Sequence, residues 1–174
     1  MSNSRAIIIT GFMGSGKTTV AEALARMLKC SSVDLDQGIT ASDGRTPKDI
    51  IEQDGEQSFR EVETRSLQDV LQSSATRVIA LGGGAWTLER NRDLISEYGG
   101  ITVWLDVPFE ICWERILASR GERPLAPDRH RAQMLYAERR PNYARAQLHV
   151  VVSHEKSAED ISAEIAEELR TRNK

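Results

Sequence analysis

Short apolar runs rich in isoleucine and valine alternate along the chain with longer segments whose apolar residues recur at helical spacing. The short runs predict strands near Ala6–Thr10, Ser32–Asp34, Arg77–Leu81, Ile101–Leu105 and His149–Val152. The longer ones predict helices near Lys17–Leu28, Phe59–Gln72, Leu88–Tyr98, Pro108–Ser119, Arg131–Arg139 and Ala158–Thr171. Such alternation implies βαβ units and an α/β fold whose parallel sheet is covered on both faces. No repeat, low-complexity tract or long linker divides residues 1–174, so a single domain is expected. The least regular stretch, 120–131, is punctuated by Gly121, Pro124 and Pro127 and is a candidate mobile loop.

Length and charge narrow the ligand. The 174 residues suffice for a core without staples, and 23 basic against 26 acidic residues leave a net charge of −3. That balance gives no bulk footprint for nucleic acid or an anionic membrane. Cys30 and Cys112 stand far apart without histidine or cysteine neighbours at metal spacing, so neither a disulfide framework nor a zinc site is indicated. The apolar stretch before Gly11 is much shorter than a signal-peptide core or a membrane span. A soluble cytoplasmic protein with a small anionic ligand is the expectation.

The anion site is written into Gly11-Phe12-Met13-Gly14-Ser15-Gly16-Lys17-Thr18, which satisfies G-x-x-x-x-G-K-[ST] between a strand and a helix. Gly14, Ser15 and Gly16 let the backbone wrap a phosphate, Lys17 reaches the β- and γ-phosphates, and Thr18, followed by Thr19, can ligate magnesium. Next comes Asp34-Leu35-Asp36. On an extended chain residues two apart share a side, so both carboxylates are expected to project from the carboxyl edge of the second strand. One could hold magnesium while the other takes a proton from an attacking hydroxyl. Simple loop capping is the plainer alternative.

Three further clusters follow. Arg60 and Glu63 lie on one helix face and could form an i,i+3 pair, which is most often a surface feature. Gly82-Gly83-Gly84 directly follows a strand, where one glycine makes a turn and three admit a ligand against the backbone. Arg115, Arg120, Arg123, Arg129, Arg131, Arg139 and Arg140 bracket the irregular loop, a suitable store of positive charge for a moving phosphate. Trp104 and Trp113 read as core, while Trp86, which follows the glycine triplet, is left open. The three histidines have no partner spacing that suggests chemistry, and Ser157-x-x-Asp160 reads as a helix start.

In order, GFMGSGKT, DLD, GE..FR..E, GGG, RPLA and ERRPNY resemble the shikimate kinase family over nearly the whole chain. The resemblance implies a three-layer P-loop NTPase fold of the nucleoside-monophosphate-kinase kind, with a five-stranded parallel sheet, a helical substrate-binding region near 35–63 and a lid near 120–131. It implies ATP, Mg2+ and transfer of the γ-phosphate to the 3-hydroxyl of shikimate. A cytoplasmic monomer with no nucleic-acid or membrane partner is expected. Carried over, Lys17 and Thr18 hold phosphate and metal, Asp34 stands near the metal, and Asp36 binds shikimate and acts as base. Arg60 and Arg139 hold the carboxylate, Gly82, Gly83 and Gly84 supply backbone contact, Glu63 supports the site, and Arg123 reaches the transferred phosphate. For adenine, spacing leaves Arg115 and Arg120 both open. Ala126, Asn142 and Ile51 depart from the family's usual residues. A kinase of another hydroxy acid, such as gluconate, and a non-catalytic nucleotide-dependent regulator are the alternatives.

Overall fold

The computed structural model describes residues 5–73, 75, 77–119 and 127–172. Five parallel strands form one sheet in the order β2-β3-β1-β4-β5: β1 Ile7–Thr10, β2 Ser32–Asp34, β3 Val78–Ala80, β4 Ile101–Asp106 and β5 Leu148–Val151. The central strand is apolar because both its faces are covered: Ile7, Ile8 and Ile9 are all buried.

Helix α1 (Lys17–Leu28) follows β1 and packs on α8 (Ala158–Arg172), whose start is capped reciprocally by Ser157 and Asp160. Between β2 and β3 the chain makes α2 (Leu35–Asp43), α3 (Pro47–Asp54) and α4 (Glu56–Gln72). After β3 come a 3-10 turn, Ala85–Thr87, and α5 (Glu89–Glu97). Helices α6 (Phe109–Ala118) and α7 (Arg129–Tyr143) lie between β4 and β5. Helices α4, α5 and α7 all contact the 3-10 turn, which makes that turn the junction of these three helices.

Three sequence expectations are corrected here. The periodicity predicts no helix over 35–54, yet α2 and α3 lie there, each too short to show a full apolar period. Helix α2 contains Gly38 and is held by burial of Leu35 and Ile39, whereas α3 starts with a capping box, Thr46 with Asp49, and Pro47 in its first turn. Helix α7 begins at Arg129, capped by Asp128, and continues through Pro141 to Tyr143. Its last turn is held from outside, since the Trp86 indole donates to Asn142 O at 2.9 Å. Trp86 and Trp104 are buried, while Trp113 is only partly so. The expected lid falls mostly on 120–126, outside the described residues, as does Ala126.

Candidate active site

The loop between β1 and α1 is built so that its backbone can face an anion. Gly16, at φ 86°, caps α1 without any side-chain hydrogen bond, leaving the first-turn N–H groups available. Gly14 has φ 77°, and a Cβ there would stand 2.6 Å from Cys112 O, so only glycine lets the loop seat on α6. Lys17 Nζ donates to Phe12 O at 2.9 Å and so lies folded over the loop, with Ser15 buried beneath. Gly14, Gly16, Lys17, Thr18 and Thr19 line a cavity of about 250 Å³. From α6, Arg115 Nη1 donates to Gly14 O at 3.3 Å, which puts this arginine beside the loop. Arg120 and Arg123 lie outside the described residues.

The two aspartates are arranged differently from the extended-strand expectation. Asp34 ends β2, but Leu35 already begins α2, so Asp36 projects from the first turn of a helix. Asp34 is the N-cap: its Oδ1 accepts from Gln37 N at 3.1 Å, and its Oδ2 accepts from the Thr18 hydroxyl. Capping and the predicted proximity to the phosphate loop thus coexist in one side chain. Among the described residues no three His, Cys, Asp or Glu side chains gather at metal-ligand spacing. A hydroxyl beside a carboxylate nevertheless fits an ion such as Mg2+, which takes few protein oxygens and keeps phosphate and water.

Asp36 belongs to a second cavity, lined also by Met13, Lys48, Ile51, Arg60, Glu63, Gly82, Gly83, Gly84 and Arg139. The Arg60–Glu63 pair is made, at 2.8 Å, but it is no surface pair: Glu63 is fully buried and Arg60 largely so. Glu56 adds a longer contact to Arg60 at 3.3 Å. Burial pushes the Glu63 carboxyl above its ordinary pKa against the pull of Arg60. Burial lowers the Arg60 guanidinium, but Glu63 and Glu56 more than reverse this and hold it above its usual value. The other Glu63 oxygen, Oε1, has no hydrogen-bond partner among the described residues and faces Gly82.

The three glycines make room chiefly for the protein's own charges. A Cβ on Gly82 would meet Asp36 Oδ1 at 2.9 Å and Glu63 Oε1 at 3.1 Å, and one on Gly84 would meet Arg60 Nη2 at 2.3 Å. Gly83 faces Arg139, which is buried on α7, and its carbonyl accepts from the Tyr143 hydroxyl. Burial raises the Tyr143 phenol to about 12, so it stays a donor. Tyr143, Met13 and Lys48 were missed by the sequence reading of the site. Met13 lay within the phosphate-loop motif and Tyr143 within ERRPNY, whereas Lys48 carried no local signal.

The two cavities share Met13, Asp36, Gly82 and Gly83. A phosphate-binding loop therefore opens directly onto an arginine-lined pocket, with a carboxylate at the boundary. The comparisons with known proteins agree with this geometry. The sequence model of the shikimate kinase family matches residues 13–170. Shikimate kinase of Geobacter sulfurreducens is 40% identical over 172 residues, covering 97% of this chain and 93% of that protein. That of Cereibacter sphaeroides is 37% identical over 171 residues, covering 97% and 84%. The structure of shikimate kinase from Acinetobacter baumannii in complex with shikimate superposes with a TM-score of 0.88 at 32% identity, covering 97% of this chain and 94% of that one. Matched by the family model over residues 13–170 and by these relatives along nearly its full length, with a phosphate loop that opens onto a pocket carrying Asp36, Arg60 and Arg139, this protein is a member of the shikimate kinase family.

Proposed function

We infer that the protein transfers the γ-phosphate of ATP to the 3-hydroxyl of shikimate, giving shikimate 3-phosphate and ADP. The observation that carries this reading is the shared wall of the two cavities, Met13, Asp36, Gly82 and Gly83, across which an acceptor held by Arg60 and Arg139 would meet a phosphate held by Lys17. Arg60 and Arg139 suit a planar carboxylate, each offering a two-pronged donor. Glu63 Oε1, without a hydrogen-bond partner among the described residues, suits a ring hydroxyl, and Asp36 suits the hydroxyl that attacks. In that arrangement the hydroxyl proton passes to Asp36 as its oxygen bonds to the γ-phosphorus in line with departing ADP.

Lys17, the backbone N–H groups of Gly14, Ser15 and Gly16, and Thr19 hold the nucleotide phosphates. Mg2+, bound through Thr18 and Asp34, would neutralise charge on those phosphates. Arg115, already resting on Gly14 O, is the better supported adenine neighbour, with Arg120 as the alternative. Arg123 is assigned to the transferred phosphate on the family pattern alone. A monomer working in the cytoplasm completes the reading. Neither a gluconate-type kinase nor a non-catalytic regulator is favoured by the family to which the chain belongs. ADP release measured with shikimate and a panel of sugars and sugar acids tests the proposal. Release that depends on shikimate is expected; equal release with gluconate, or with no acceptor, overturns it.

A further inference from the structure

We propose that Asn91, which lines neither cavity, is a positioning residue for acceptor binding, acting with Thr64 to hold Arg60 against Gly84; this rests on the acceptor reading above. Asn91 lies on α5 and is fully buried. Its Nδ2 donates to Ala85 O at 2.9 Å, which leaves Oδ1 to accept from the Thr64 hydroxyl at 2.7 Å. Thr64 is one turn beyond Arg60 on α4, and its hydroxyl is also 3.0 Å from Arg60 O. Ala85 immediately follows Gly84 and begins the 3-10 turn. One amide therefore ties the helix that carries Arg60 to the turn that carries Gly84.

Tolerance at that junction is small, because Arg60 Nη2 occupies the space 2.3 Å from where a Gly84 Cβ would be. A shift of α4 relative to the turn would move the guanidinium along the glycine surface and away from the orientation in which it meets a carboxylate. Arg92, the next residue on α5, braces the same turn, its Nη1 donating to Trp86 O and Thr87 O at 2.8 Å each. Asn91 is distinct in reaching both sides of the junction. A buried amide with both ends satisfied fixes a single register, whereas an apolar residue there would permit sliding.

The test compares Thr64→Val, Thr64→Ser and Asn91→Leu in steady-state kinetics and in calorimetric titration with shikimate and with ATP. Thr64→Val should raise the shikimate KM about fivefold, the loss of one hydrogen bond, and Asn91→Leu roughly 20-fold or more. The ATP KM should stay at the native value, and Thr64→Ser should restore shikimate KM. In an Arg60→Lys background, Thr64→Val should add nothing, since the residue through which it acts has gone. An unmoved shikimate KM, an equal rise for ATP, or the same increment in the Arg60→Lys background overturns the proposal in favour of plain structural support. Should Asn91→Leu fail to fold, the Thr64 pair decides. A native protein that neither binds nor phosphorylates shikimate would remove the functional reading and this proposal together. Native turnover with an unmoved Thr64→Val removes only the latter.

Discussion

Gly84→Ala is the sharpest perturbation of the proposed acceptor site. The backbone at Gly84 has φ −100° and ψ −14°, a conformation alanine adopts, so the substitution adds no backbone strain. Its methyl group would instead stand 2.3 Å from Arg60 Nη2 and 2.8 Å from Cζ and Nη1. Carbon and nitrogen atoms settle near 3.5 Å apart, so the guanidinium must retreat by on the order of 1 Å. As the far end of a flexible side chain, it can do so at little cost to the fold, and the loss of glycine's freedom in the unfolded chain offsets about 0.4–1 kcal/mol of that cost.

Function has no such slack. Losing a hydrogen bond to a charged group costs about 1.5–3 kcal/mol. At about 1.36 kcal/mol per decade, this corresponds to roughly a 10- to 150-fold rise in the shikimate KM. Coupled ADP-release kinetics with each substrate varied in turn, together with thermal unfolding, give the answer, and Gly38→Ala serves as a control because its nearest neighbour is Val33 Cγ2 at 3.8 Å. The expected pattern is a raised shikimate KM with an unchanged ATP KM and a melting temperature close to native. A shikimate KM within threefold of native would refute the steric argument, and a comparable rise in the ATP KM would place the damage at the phosphate loop instead (threefold is about 0.65 kcal/mol).

Four other outcomes are expected. Lys17→Met should lower turnover by roughly 100-fold or more while leaving the fold intact, because the lysine is only half-buried and bonds to a loop carbonyl; near-native turnover would contradict its phosphate role. Asp36→Asn should lower turnover by about 100-fold with ATP affinity preserved; an equal loss of ATP affinity would make Asp36 a metal residue. Arg60→Lys should impair shikimate far more than shikimate carboxamide, since lysine restores charge but not the two-pronged geometry; equal factors for both acceptors would count against a carboxylate pocket. Burial raises the Glu63 pKa above its ordinary 4.5, so the folded protein keeps that proton where the unfolded chain has released it. Its contribution to stability is then full below pH 4.5 and declines as pH rises through the folded pKa. Denaturant unfolding of Glu63→Gln between about pH 4 and about pH 7 should lack that decline, and an unchanged slope would show that Glu63 is not its source.

Local sequence carried the phosphate loop almost completely. The glycines act through backbone conformation, Lys17 and Thr18 stand beside them within one loop and one helical turn, and α1 runs over Lys17–Leu28 as its period and flanking glycine predict. Strands β1, β3 and β4 were similarly legible, because a buried parallel strand writes its environment into consecutive apolar residues. Asp34 and Asp36 were legible as candidates but not in their geometry. A two-residue spacing carries different directions in a strand and a helix, and the boundary falls between them. Arg60 and Glu63 showed their pairing in sequence but not their burial, which depends on α4 packing against α5 and the turn after β3.

Only the tertiary structure gave Gly82 and Gly84 their reason, since the charges that fill their missing side-chain space come from α2 and α4, well away in sequence. Asn91 shows the same limit. Nothing in its neighbours along the chain marks it, and its partners Thr64 and Ala85 meet it only once α4, α5 and the turn are packed together. Backbone conformation and periodic burial are set by adjacent residues and can be read in one dimension. The placement of charged side chains against one another is set by which elements pack together, and that is decided in three dimensions.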